Sequence, residues 1–216
     1  MIVAAGSSRR MGFDKLEADL MGSPVAVRSI LAFEQSDVIG EIIVVTQPSK
    51  VASLEALGIS KLRAAVVGGA ERHDSVWAGI QACSSESEFV AVHDGARPLV
   101  SSAAIALTLD AAQSHGAASL AHRVTETLKR GNSDQWAGDP VSREDLWAME
   151  TPQIFRRDLL FEAYTRVRDQ GALVTDEVSA MEFLGQKVKL VENPGFNPKI
   201  TVPADLEVAA AIMSKV

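Results

Sequence analysis

Short, continuous apolar runs recur along the first half of this chain, at Met1–Ala5, Glu41–Thr46, Leu62–Val67, Phe89–His93 and Ala118–His122. Each is rich in Val, Ile or Ala, and apolarity that does not alternate predicts strands covered on both faces. Segments with helical spacing lie between them, at Pro24–Gln35, Lys50–Ala56, Arg72–Cys83 and Ala103–Ser114. Ser23 followed by Pro24 reads as an N-cap and a first helical residue. This alternation predicts an α/β fold with a mostly parallel sheet. Ligands of such sheets bind beyond the carboxyl ends of the strands.

The pattern breaks at 124–145, a polar stretch with Gly131, Gly138 and Pro140 and no helical period. A stretch that long is a functional loop or an excursion such as a β-arm. Trp136 in its middle suits contact with a second subunit, and equally a ring folded back on its own domain. Helices are expected again at Arg157–Gln170, Asp176–Leu184 and Pro203–Ser214, with a strand at Lys187–Val191. No repeat or linker interrupts the chain, so residues 1–216 read as one domain.

Composition narrows the classes of partner. Lys and Arg total 21 against 28 Asp and Glu, a net charge of −7. That balance argues against sequence-independent binding to nucleic acid or an anionic membrane, and leaves room for an anionic small molecule in a locally basic cleft. One cysteine, Cys83, excludes an intrachain disulfide framework and a Cys-based zinc site. The apolar run at the start is too short for a signal peptide or a membrane span, so the cytoplasm is the expected compartment.

The chemistry gathers at strand ends. The first strand runs into Ala4-Ala5-Gly6-Ser7-Ser8-Arg9-Arg10, with Lys15 shortly after. Small residues let the backbone approach a ligand, and successive N–H groups form an anion cradle that Arg10 and Lys15 would reinforce. The same residues also suit a solvated basic turn. The spelling excludes both the Walker loop and the dinucleotide fingerprint. The third strand ends in Gly68-Gly69, opening a helix that carries Ser75, which offers donors to a nucleotide. The fourth ends in His93-Asp94-Gly95-Ala96-Arg97-Pro98: Asp94 can orient a substrate or help hold hydrated Mg²⁺, and Arg97 can grip an anion. His93 is expected to face the interior. The four histidines are scattered, with no zinc-binding pair.

In this order the motifs resemble those of the 2-C-methyl-D-erythritol 4-phosphate cytidylyltransferase family. The likeness runs on through Glu126-Thr127-Leu128-Lys129, Arg143, Thr151-Pro152-Gln153, Thr175-Asp176-Glu177, Asn197-Pro198-Lys199 and Asp205-Leu206, nearly the whole chain. It implies a Rossmann-like nucleotidyltransferase fold and transfer of a cytidylyl group from CTP to a polyol phosphate, with Mg²⁺ or another divalent ion held mainly by the CTP phosphates. By matching position, Ala4, Ala5, Gly6, Ser7, Ser8, Gly69 and Ser75 would bind CTP, and Arg10 and Lys15 would be the catalytic cations. Asp94, Arg97, Thr127, Arg143, Thr151 and Lys199 would surround the sugar phosphate. The segment 124–145 would be an arm clasping a second subunit and bringing an Arg and a Thr into that subunit's site.

The chain departs from the family's usual spelling at Asp14-Lys15-Leu16, at Gly95 and at Val202, none of which removes a charged catalytic group. Two rivals stay open: a cytidylyltransferase for another polyol phosphate such as ribitol 5-phosphate, and a non-catalytic CTP sensor.

Overall fold

The computed structural model of the chain describes residues 1–6 and 12–215. Strand β1 (Ile2–Val3) leads to helix α1 (Val25–Glu34), followed by β2 (Ile42–Thr46), α2 (Val51–Glu55), β3 (Leu62–Val67) and α3 (Arg72–Ala82). Next come β4 (Phe89–Asp94), α4 (Ser102–His115), β5 (Ala117–Arg123) and a hairpin of β6 (Leu128–Gly131) and β7 (Ala137–Val141). The chain closes with β8 (Trp147–Arg156), α5 (Arg157–Asp169), α6 (Glu177–Glu182), β9 (Lys189–Glu192) and α7 (Pro203–Met213).

Seven strands form one sheet in the order β3-β2-β1-β4-β8-β5-β9. All neighbours are parallel except at β8, which runs antiparallel to both β4 and β5. This is a mixed, mostly parallel α/β sheet. The continuous apolar strands follow from its layering. In β2, Ile43 and Val45 pack with Val76, Ile80, Leu160 and Val167 from α3 and α5. Their neighbours Ile42 and Val44 pack on the other face with Ile30, Phe33 and Ile105 from α1 and α4. Successive side chains point to opposite faces, so a strand between two helical layers must be apolar at every position.

Most sequence-derived elements fall within a few residues of the observed ones, and three differ. The first strand is limited to Ile2–Val3, since pairing ends where the chain turns into the small-residue loop. Ser23 is not the N-cap of α1: Pro24, with ψ of 144°, is still extended, and the helix begins at Val25. β8 had no counterpart in the hydrophobic pattern. Its interior positions include Glu150, Thr151 and Gln153, each at most 4% exposed, and Pro152. Buried polar residues and a proline are the features that argue against a central strand.

The irregular stretch contains the β6–β7 hairpin, a sheet of its own in which Leu128 faces Val141. Residues 129–140 are all exposed, and Trp136 is 73% exposed. The ring does not fold back on its own chain.

Candidate active site

β1 lies between β2 and β4. The chain steps from β1 to β2 to β3 on one side, then returns across β1 to lay down β4 on the other. The connections around β1 therefore diverge, and a crevice is left beyond the carboxyl ends of the strands. A cleft of about 510 Å³ occupies this place, bounded by Ala5, Gly6 and Lys15 on one flank, Gly69, Arg72 and Ser75 on the next, and Asp94 and Lys199 opposite. A second cavity, about 430 Å³, opens at the amino ends of β1, β2 and β4, among Phe33, Phe89 and Leu109; its lining has Glu41 and Glu86 and neither Lys nor Arg, so it suits no polyphosphate.

Close packing keeps the Gly68–Gly69 backbone bare. A Cβ on Gly68 would sit 2.4 Å from Ala5 Cβ, and one on Gly69 would sit 2.2 Å from Asp74 Cβ. Ser75 is 3% exposed; its hydroxyl accepts from Gly69 N–H at 3.1 Å and donates to the Glu71 carbonyl at 3.2 Å. It thus ties the glycine loop to the first turn of α3. Ala4 is buried and donates its N–H to the Val45 carbonyl. Lys15 lines the cleft, its Nζ donating to the Ile200 carbonyl at 2.8 Å.

Asp94 is the electrostatic centre. Lys199 Nζ donates to its Oδ2 at 2.7 Å and Arg72 Nη2 to its Oδ1 at 3.3 Å, while Arg97 Nε lies 3.8 Å from Oδ2. Burial pushes the Asp94 carboxyl up, but the charges of Lys199 and Arg72 outweigh it and hold the group well below the ordinary carboxylate range. Its backbone is fixed as well. His93 is fully buried, and its Nε2 lies 3.0 Å from the Arg97 carbonyl, which can only accept, so Nε2 carries the proton. Nδ1 then accepts from the Thr151 hydroxyl at 3.0 Å, and Thr151 Oγ1 in turn accepts from Asp94 N–H at 3.0 Å. Burial holds the His93 ring neutral, with its pKa lowered to about 3.

The residues expected from the sequence divide into four sets. Ala5, Gly6, Lys15, Gly69, Ser75, Asp94 and Lys199 are brought together around the cleft, with Ala4 buried just behind. Ser7, Ser8 and Arg10 lie outside the described residues. Thr151 and Arg97 stand behind Asp94: the Arg97 guanidinium donates to the Asn197 carbonyl at 2.8 Å and the Met149 carbonyl at 3.1 Å, bracing the chain that carries Lys199. Thr127 and Arg143 are exposed at the root of the hairpin and do not line this cleft; Arg143 donates to the Thr125 carbonyl.

Several participants escaped the sequence reading. Arg72 at the start of α3 makes a two-pronged ion pair with Glu177, at 2.6 and 3.1 Å, besides its contact with Asp94. A cation in the first turn of a helix opposes the helix dipole, and that mismatch was the available signal. Glu150 accepts from Asn193 Nδ2 at 2.8 Å and Asn197 Nδ2 at 3.0 Å and pairs with His122 at 2.6 Å, holding the segment before Lys199. No local pattern announces that role.

A cationic crevice with a bare glycine backbone, at the switch point of a mostly parallel sheet, defines a Rossmann-like α/β enzyme acting on a phosphorylated ligand. The chain belongs to the 2-C-methyl-D-erythritol 4-phosphate cytidylyltransferase family, whose model matches residues 1–215, and it is accordingly a nucleotidyltransferase. It is 40% identical to the enzyme of that name from Caldanaerobacter subterraneus subsp. tengcongensis over 100% of this chain and 98% of the relative. It is 39% identical to that from Pelotomaculum thermopropionicum, over 99% and 92%. The structure of 4-diphosphocytidyl-2C-methyl-D-erythritol synthase from Anaerococcus prevotii superimposes with a TM-score of 0.86 at 27% identity, covering 99% of this chain and 96% of that one. Among the described residues no helix is long and apolar enough to cross a membrane.

Proposed function

We propose that the chain transfers the cytidylyl group of CTP to 2-C-methyl-D-erythritol 4-phosphate, giving the cytidine-diphosphate methylerythritol and pyrophosphate in the non-mevalonate route to isoprenoids. The observation that supports it most is the cleft itself: bare glycine backbone on one side, and Lys15, Arg72 and Lys199 converging from the others.

The nucleophile is a phosphate monoester oxygen, whose second pKa near ~6 leaves it ionised at neutral pH. No general base is required, and the chain's task is to overcome repulsion between two anions. The sugar-phosphate oxygen forms a bond to the α-phosphorus, the bond from that phosphorus to the bridging oxygen breaks, and the electron pair leaves with pyrophosphate. Lys15 and Arg10 neutralise the charge that builds on the α-phosphate and the leaving group. Gly6 and Gly69 let the triphosphate approach the backbone, Ser75 keeps the Gly69 loop in register, and Lys199 meets the incoming phosphate.

Among the described residues a divalent ion finds no protein cage. Both Asp94 oxygens already accept from Lys199 and Arg72, and no group of three or more His, Cys, Asp or Glu among the described residues is arranged to hold a metal. In our reading Mg²⁺ arrives on the triphosphate as its counter-ion. We also assign the 124–145 hairpin as the arm of a homodimer, supported by its exposure and by Trp136, and the cytoplasm as the compartment, which a single cysteine suits. The deciding assay follows pyrophosphate release with each nucleoside triphosphate against a panel of polyol phosphates in Mg²⁺ buffer. Release with CTP and methylerythritol 4-phosphate is expected. Release only with ribitol 5-phosphate would redirect the assignment, and none at all would favour a sensor.

A further inference from the structure

The Arg72–Glu177 pair joins two elements that lie 105 residues apart in sequence. Glu177 has no solvent exposure and lies outside the cleft lining, whereas Arg72 faces the cleft. Both Glu177 oxygens are committed to Arg72, and Oε1 also accepts from the fully buried Tyr164 hydroxyl at 2.9 Å. Below it, Gln153 Oε1 accepts from the N–H groups of Glu177 and Val178 at 3.2 Å each, and Asp176 caps Ser179 N–H at 3.0 Å. The carboxylate is therefore held by Arg72 and Tyr164, and its main chain by Gln153. It fixes in turn the guanidinium that, among the described residues, donates to Asp94 Oδ1, leaving Oδ2 to Lys199, with Arg97 Nε at 3.8 Å. Removing the charge from a buried pair strands its partner, so the effect passes to whatever the partner touches.

We propose that Glu177 is a positioning residue for the sugar-phosphate side of the cleft: it pins Arg72 on one oxygen of Asp94, so that the other oxygen holds Lys199 in line with the arriving phosphate. Arg72 keeps Asp94 compensated while Lys199 moves from carboxylate to phosphate, which lowers the cost of that exchange. Without Glu177, Arg72 and Lys199 compete for the same carboxylate, and neither stands where the phosphate needs it.

This inference rests on the cytidylyltransferase reading, and its test separates the two. Glu177→Gln keeps the shape and removes the charge. Relative to wild type, KM for the sugar phosphate should rise at least about tenfold while KM for CTP changes less than about threefold, a split that a general loss of folded protein would not produce. Arg72→Lys, which keeps the charge but not the fork, should show the same split. Tyr164→Phe, which removes one hydroxyl and keeps the buried ring, should shift KM in the same direction by a smaller factor and serves if Glu177→Gln folds poorly. Wild-type protein that releases no pyrophosphate from CTP and methylerythritol 4-phosphate overturns the underlying reading. Active wild type with variants that match it, or that lose both KM values together, overturns the role of Glu177 alone.

Discussion

Lys15 and His93 show how differently single residues serve this molecule. Lys15 lines the cleft and donates to the Ile200 carbonyl. Lys15→Ala should cut kcat by about 10²–10³, or roughly 3–4 kcal/mol, as removal of a fixed transition-state donor does. Steady-state turnover close to wild type would refute its role. His93 acts through the fold. Its pKa is lowered to about 3 by burial, so between the unfolded value near 6.5 and 3 the unfolded chain binds a proton that the native state refuses. Stability from this group is complete above that window and is lost as the pH falls through it. Between pH 7 and 5 the loss should be about 2 kcal/mol. Urea unfolding at both pH values would measure it. His93→Gln, whose amide can still donate to the Arg97 carbonyl, should flatten the difference; an unchanged pH dependence would remove His93 as its source. Residues whose chemistry is spelled beside a strand end, such as Gly69 and Asp94, were legible in the sequence, whereas Lys199 was marked only by the family resemblance. Arg72, Glu177 and Glu150 were not, because their meaning is a partner distant in the chain.

Elements were legible to the extent that they obey one rule. Strands between two helical layers show continuous apolar runs, and β2, β3 and β4 were found within a residue of their limits. β8 breaks the rule because it serves the site: its buried polar side chains hold Asp94, α6 and the segment leading to Lys199. A strand that spends its interior positions on hydrogen bonds looks like a loop to any hydrophobic pattern. The turn after β3 makes the opposite demand, for nothing at all beyond the backbone. Gly69→Ala would drive a methyl to 2.2 Å from Asp74 Cβ and 3.2 Å from its carbonyl carbon, so the backbone must shift. We expect about 1–3 kcal/mol of lost stability from overpacking, together with weaker CTP binding. Thermal melts and calorimetric titration would check both; a variant equal to wild type in each would show that the loop has room.

At the scale of the whole molecule, the cleft gathers Lys15, the Gly69 loop, Asp94 and Lys199, while Thr127 and Arg143 stand exposed at the hairpin. If that hairpin serves a second subunit, two inactive variants should rescue each other. Lys15→Ala and Arg143→Ala subunits, mixed and allowed to exchange, would form heterodimers with one doubly altered site and one intact site. Random re-pairing in a two-fold dimer should restore about a quarter of wild-type activity. Exchange without recovery would assign Arg143 to its own chain.

The main sheet's pairing ends at the base of the hairpin. Arg123 pairs with Trp147 across β5 and β8, its guanidinium lies 4.4 Å from the centre of that indole, and Val124 N–H donates to the Leu146 carbonyl. A few residues further along the same ribbon, β8 presents Thr151 to the main chain of Asp94. Blade and handle are thus joined by two short spans outside both sheets, 124–127 and 142–146, so a push on the outlying tip meets a wrist there before it reaches the main ladder and Thr151.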